Sequence, residues 1–306
     1  MPVIRSTAPI ALVVHGGAWA VPRDMMERNK EGVLHALTAG WSILNRGGSA
    51  ADAVEESIRV MEDDETFDAG RGSCLNAAGE IELDAGIMNG KTLQAGAAAA
   101  VQQVKNPISL ARAIMERSEH VLLVGMGAQR FAREHGVAVC GLDDLITRRE
   151  IDRWRLAQAE TKPLSRRSRV ASDTVGAVAL DKAGTIVSGT STGGTPNKYP
   201  GRVGDAPLIG SGIYADNAIG GVSTSGWGEG MIRIVMAKTV IDLIARNGGD
   251  PEAAAREGLA VLRKKTGGDG GIIAVTPEGR IGIAFTTPRM ARGSMNSSMK
   301  SPLVAV

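Results

Sequence analysis

A chain of 306 residues is long enough to bury a large core in one multilayered domain or two smaller ones. An apolar content of 43% with 22% charged residues excludes disordered and fibrous chains, and a net charge of +2 gives no basic face for nucleic acid, so no nucleic-acid partner is expected. Forty glycines against four Trp, two Tyr and three Phe point to close backbone approach within a sheet of small residues.

In chain order, the opening "MPVIRSTAPIALVVHGG" holds an apolar run too short for a signal peptide. No later stretch reaches the roughly 18 apolar residues of a membrane span. Cys74 and Cys140 are too few and too far apart for a disulfide framework. A cytoplasmic protein with reduced thiols and no membrane partner is expected. "ALVVH" (11–15) reads as a buried strand ended by Gly16 and Gly17. A helix follows with Val33, Leu37, Trp41 and Leu44 on one face, and Ser49 caps a second that carries Val54, Ile58 and Met61. "EIELDAGIM" and "TLQAGAAAAV" read as strands, and "NPISLARAIMERS" as a helix with Asn106 as cap and Pro107 in its first turn. Two more helices are expected over about 124–135 and 143–158.

The stretch 158–173, "QAETKPLSRRSRVASD", is polar, basic and without periodicity, and long unstructured loops are uncommon inside a domain unless they serve a function or can be lost. The arginines from Arg148 to Arg169 around it read as a solvated helix and linker. Then the text turns abruptly to strands, "TVGAVALD", "TIVSGTS" and "PLIGSGIYAD". A helix over "EGMIRIVMAKTVIDLIARNGG", another capped by Asp250, and a strand pair "GGIIAVTPEGRIGIAFTT" close the chain. Helices paired on sheets of mixed strands give a layered α+β fold.

Several motifs fail on inspection. "GTSTGGTPNK" lacks the lysine of a phosphate loop, and "GSGIYA" is followed by text that cannot be the helix a dinucleotide fingerprint needs. His15, His35, His120 and His135 show no metal-ligand spacing. Thr174 carries a different chemistry. A cut after Asp173 would leave a threonine whose free α-amine, titrating near about 7.7–8.0, supplies nucleophile and base in one residue without histidine or metal.

The blocks "VVHGGAW" (13–19), "FDAGRGSCLN" (67–76), "ELDAGIMNG" (82–90), "TVGAVALD" (174–181), "TSTGGT" (190–195), "PGRVGD" (200–205) and "STSGWGE" (223–229) run in order over nearly the whole chain. By these the sequence resembles the plant-type asparaginase and isoaspartyl peptidase branch of the N-terminal nucleophile hydrolases. The resemblance implies a four-layer αββα sandwich, one structural domain after self-cleavage into an α subunit (1–173) and a β subunit (174–306). It implies hydrolysis of L-asparagine and β-aspartyl dipeptides, no catalytic cofactor and a homodimer of αβ units. It assigns Thr174 as nucleophile released from Asp173, Thr192 as the hydroxyl that orients it, and Ser225 and Gly226 as the oxyanion hole. Arg202 would grip the substrate α-carboxylate and Asp205 its α-ammonium. A structural sodium ion would rest on backbone carbonyls of Met61, Glu62, Asp64, Phe67, Ala69 and Arg71.

The chain departs from the family pattern at Asp173, where Gly is frequent, at Asp68, usually Asn near the active site, at Ser225, usually Thr, and at Trp227, usually small. Related readings are a glycosylasparaginase and a threonine aspartase. Asp205 argues against the latter, because a polypeptide substrate offers no α-ammonium. An uncleaved protein that binds aspartate through Arg202 and Asp205 is the alternative outside catalysis.

Overall fold

A computed structural model describes residues 8–159 and 173–306. In chain order they form β1 (Ala11–Trp19), α1 (Met26–Asn45), α2 (Ala50–Asp63), β2 (Leu83–Asn89), β3 (Ala95–Val101), α3 (Pro107–Arg117), β4 (Leu122–Val124), α4 (Gly125–Glu134), α5 (Leu142–Leu145) and α6 (Arg148–Ala159). The second half adds β5 (Val175–Leu180), β6 (Ile186–Thr192), β7 (Ile213–Asp216), β8 (Gly220–Gly226), α7 (Gly228–Ile234), α8 (Met236–Arg246) and α9 (Pro251–Thr266). It ends with β9 (Gly270–Val275), β10 (Ile281–Phe285), β11 (Arg289–Asn296) and β12 (Leu303–Ala305).

The strands make an eight-stranded sheet, β12-β11-β1-β5-β6-β2-β3-β4, and a four-stranded sheet, β10-β9-β8-β7. Neighbours are antiparallel except β3 and β4. Strand alternation sends successive side chains to opposite faces, and the core follows that rule. Leu12 and Val14 of β1 pack with Val33, Leu37, Val54 and Ile58 of α1 and α2. Ala11 and Val13, one residue out of phase, pack instead with Ile213, Ile273 and Val275 of the second sheet. That sheet turns Val222, Ile272 and Ala274 to Val240, Ile241, Leu259 and Leu262 of α8 and α9. The layers therefore run helix, sheet, sheet, helix, as the resemblance implies.

His15 lies buried between the sheets, its Nε2 2.9 Å from Ser223 Oγ. Burial drives its imidazole down to about 3, against the opposing effect of a backbone hydrogen bond with Thr174, so the ring is neutral.

Several local expectations need correction. Gly16 and Gly17 do not end the first strand: the pairing of β1 with β11 shifts register between His15 and Ala18, and Gly17 at φ +95° absorbs the bulge. Of "PLIGSGIYAD" only the last four residues are strand, because Leu208 and Ser211 close turns on Asp205 and Leu208. The helix read from residue 229 is broken at Val235, which adopts φ 50° between α7 and α8. Residues 143–158 divide at Ile146, which leaves α5 in an extended conformation. Asn106 precedes α3 without a side-chain cap, and Glu62 Oε1 accepts from the Ile108 N–H at 2.9 Å instead. The basic helix is only partly solvated, since Arg149 and Arg153 fold onto the buried carboxylate of Glu150. Of the linker expected over 158–173, residues 158 and 159 belong to α6 and residues 160–172 lie outside the described residues.

Candidate active site

The pairing of β5 with β6 sets Val175 opposite Ser191, which leaves Thr174 and Thr192 as the next opposed positions. Both are buried, and Thr174 Oγ1 donates to Thr192 Oγ1 at 3.2 Å. The Thr192 hydroxyl donates in turn to the carbonyl of Asp173 at 3.2 Å and accepts from the Gly194 N–H at 3.0 Å. A hydroxyl has one proton and two lone pairs, and Thr192 places all three on defined partners. Its consequence is chemical: the carbonyl between residues 173 and 174 is polarised by the group that also holds the adjacent threonine hydroxyl.

Two carboxyls stand beside this bond. Asp68 Oδ1 accepts from the Cys74 N–H at 2.8 Å, and the Asp68 carbonyl accepts from the Gly193 N–H at 2.8 Å, which fixes the turn after Thr192. Burial, helped by the Glu150 charge, raises the Asp68 carboxyl to about 6. Asp173 rises well above the usual carboxylate range, first through burial and then through the charge of Asp68. Gly17 approaches the Asp173 carboxyl so closely that a Cβ there would overlap Oδ1. The rim of the first sheet thus holds an acidic, water-poor setting around the Asp173–Thr174 bond.

Arg202 and Asp205 approach each other across Gly228. A Cβ on Gly228 would sit 2.7 Å from Asp205 Oδ1 and 3.0 Å from Arg202 Nη2, so the missing side chain leaves a floor between the two charges. Asp205 Oδ2 accepts from Thr224 Oγ1 at 3.0 Å. Burial raises Asp205 to about 6, against the opposing hydrogen bond of Thr224 and the charge of Arg202. Arg202 bonds Glu229, which sequence reasoning left unassigned, with Nε and Nη2 each 2.9 Å from Oε1. The loop that carries Arg202 is pinned from below: the Glu82 carboxylate accepts from the Gly201 N–H, Asp84 Oδ2 accepts from the Gly204 N–H, and Lys198 Nζ donates to the Glu82 carbonyl at 2.7 Å. Glu82, Asp84, Thr224 and Glu229 all lie inside blocks that carried the family resemblance, and that was their only signal.

Ser225 and Gly226 end β8. Ser225 Oγ accepts from the Ala18 N–H at 3.0 Å, which ties the second sheet to the bulged end of β1 and leaves the Ser225 proton available to an incoming oxygen. Trp227 stands half-buried over Gly230 and Gly268.

The loop after α2 suits a hard cation in kind. Met61 and Glu62 close the helix, where carbonyls lack intrahelical donors, and the Glu62 and Asp64 carbonyls each accept one N–H, from Arg71 at 2.7 Å and Phe67 at 3.1 Å, which leaves a lone pair on each. The Glu65 and Phe67 carbonyls point at Gly72, each 2.7 Å from the site of a Cβ. Among the described residues no group of three His, Cys, Asp or Glu side chains is placed to hold a metal ion.

A profile of the asparaginase family matches residues 8–304. An isoaspartyl peptidase/L-asparaginase of Bos taurus is 44% identical over 92% of this chain and 91% of its own length. One from Homo sapiens is likewise 44% identical over 92% of this chain and 91% of its own. A plant-type L-asparaginase of Pyrococcus horikoshii is 44% identical over 97% of this chain and its own full length. With a family match that spans residues 8–304, and so both sheets, the chain belongs to the asparaginase family.

Proposed function

We propose that the protein is a self-processing amidohydrolase that cleaves the side-chain amide of L-asparagine and the isopeptide bond of β-aspartyl dipeptides, with Thr174 as nucleophile. The observation that carries this reading is the hydrogen-bonded row Thr174, Thr192 and the Asp173 carbonyl, linked through Asp84, which lies opposite Thr192 and accepts from the Gly204 N–H, to the loop that carries Arg202 and Asp205. The names of the relatives support the substrate class.

Maturation begins when Thr174 Oγ1 attacks the Asp173 carbonyl carbon. The peptide C–N bond breaks, the nitrogen takes the hydroxyl proton, and an ester joins the two halves. Water hydrolyses the ester, giving a carboxylate on Asp173 and a free amine on Thr174. The α subunit is then 1–173 and the β subunit 174–306.

In turnover the Thr174 amine accepts the Oγ1 proton as Oγ1 attacks the substrate side-chain carbonyl. Developing negative charge on that oxygen meets the Ser225 hydroxyl and the Gly226 N–H, the kind of donor pair whose loss typically costs about a hundredfold or more. The C–N bond breaks, the leaving amine takes the proton from the Thr174 ammonium, and water releases aspartate from the ester. Arg202 holds the α-carboxylate with guanidinium geometry and Asp205 neutralises the α-ammonium. No catalytic cofactor enters this scheme.

A structural sodium ion on the carbonyls of Met61, Glu62, Asp64, Phe67, Ala69 and Arg71 and a homodimer of αβ units complete the proposal. A cytoplasmic location accords with the free thiols of Cys74 and Cys140. No helix among the described residues is long and apolar enough to cross a membrane. The test of function is assay of the purified protein with L-asparagine and β-aspartyl-leucine beside calorimetry with L-aspartate. Turnover of either substrate is expected; aspartate binding by cut protein without turnover would overturn the reading.

A further inference from the structure

Residues 224–229 carry the oxyanion donors Ser225 and Gly226, and the two side chains that touch the headgroup pair flank them. Thr224 Oγ1 holds Asp205 from one end, and Glu229 Oε1 holds Arg202 from the other. Arg202 retains only 16% of its side-chain exposure while Glu229 keeps 47%, so the pair sits at the mouth of the site with the guanidinium inward. Glu229 takes the Nε edge of the guanidinium through Nε and Nη2. That leaves the Nη1 end turned toward Gly204, 2.9 Å from the site of a Cβ there, and Nη2 at the floor made by Gly228.

We infer that Glu229 is a positioning residue for the reaction: it fixes the guanidinium plane so that the Nη1 and Nη2 edge, rather than the Nε edge, receives the substrate α-carboxylate. A guanidinium has five N–H donors in a rigid fork, and a carboxylate can take one edge only if the plane is held. Thr224 does the same for Asp205, presenting the carboxylate oxygen not bonded to its hydroxyl. Because one short segment carries both holders and both oxyanion donors, it sets the distance from headgroup to reacting carbonyl. This inference rests on the roles given above to Arg202 and Asp205.

The experiment compares wild type, E229A and E229Q, each confirmed by mass to be cut after Asp173, on β-aspartyl-leucine and on the same substrate with its aspartyl α-carboxyl amidated. Wild type is expected to prefer the carboxylate substrate by about tenfold or more in kcat/KM, and E229A to raise KM for that substrate about tenfold with kcat within about twofold. E229A should leave the amidated substrate nearly unaffected. E229Q, whose amide oxygen can accept the same two N–H groups, should stay within about threefold of wild type. A fall in KM for E229A would show that Glu229 competes with substrate, and an unchanged KM or equal losses on both substrates would make it a structural residue; each overturns the inference. Failure of wild type to discriminate between the substrates would overturn the Arg202 reading beneath it. Should E229A stay uncut, E229D, which keeps the charge on a shorter arm, takes its place with the same expectations.

Discussion

At the scale of single residues the site works by placing its hydroxyls and charges on defined partners. Thr192 is the clearest case, since its hydroxyl receives Thr174 and donates to the Asp173 carbonyl. T192A is expected to slow both self-cleavage and turnover by about a hundredfold, with T192S retaining most of each, as followed by mass and by ammonia release. Asp205 makes a prediction about pH. Its carboxyl is raised to about 6, chiefly by burial, and only the ionised form can neutralise a substrate ammonium. KM for L-asparagine should therefore rise as pH falls through about 6, whereas a flat KM down to pH 5 would contradict the assignment. Asp68 bears on maturation, because its carboxylate, ionised above about 6, opposes an oxyanion forming on the Asp173 carbonyl. D68N should mature several-fold faster near pH 7.5 in a time course of intact mass, and slower maturation would show that Asp68 assists the step. Thr174, Thr192, Arg202 and Asp205 were legible in the sequence because each sits in a short ordered block. The bond from Arg202 to Glu229 spans 27 positions, and nothing in linear text reveals which of several nearby acids will fold onto one arginine.

Elements were legible where one rule governed the whole segment and lost where two rules met. The amphipathic faces of α1 and α2, and the caps at Ser49 and Asp250, follow from spacing and side-chain chemistry alone. The bulge in β1 did not, because a pair of glycines can either end a strand or kink it, and only the partner strand β11 decides. That partner was itself unread: "RMARGSMN" alternates too weakly to announce a strand. The break between α7 and α8 was hidden by continuous apolar spacing, although Val235, half exposed at φ 50°, occupies a conformation that costs a β-branched residue about 1–2 kcal/mol. V235N, with a side chain that tolerates this conformation, should raise the melting temperature by about 1–3 °C in calorimetry. Glu62 links α2 to α3 through the Ile108 N–H, and burial lifts its carboxyl to about 8. A folded value above the unfolded one makes its contribution full below about pH 4.5 and lost as pH rises through about 8. The fall in melting temperature across that window should flatten in E62Q; an unchanged slope would place the titration elsewhere.

Taken as a whole, the molecule is built so that a cut in the chain need not be a cut in the fold. β5, which begins just after Thr174, lies between β1 and β6 in the middle of the large sheet, and its ladder hydrogen bonds run to β1 from the first half and β6 from the second. Both sides of the Asp173–Thr174 bond contribute to the core between the sheets, with Ala11 and Val13 from one and Val178, Ile273 and Val275 from the other. Severing the Asp173–Thr174 bond removes no ladder hydrogen bond, so the halves should co-elute as one species. The layered α+β class was readable from the order of elements, whereas the arrangement in which late strands pair with the earliest one depends on long-range contacts that no local pattern encodes. The central claim, that this fold frees Thr174 to act as its own base, is tested most directly by the intact mass of purified protein, fresh and after a day at about pH 7.5, beside T174A. Two fragments, 1–173 and 174–306, are expected from the wild type and a single full-length mass from T174A. A wild type that stays whole at both times yet hydrolyses β-aspartyl-leucine, or a T174A chain that is cut at the same bond, would contradict it.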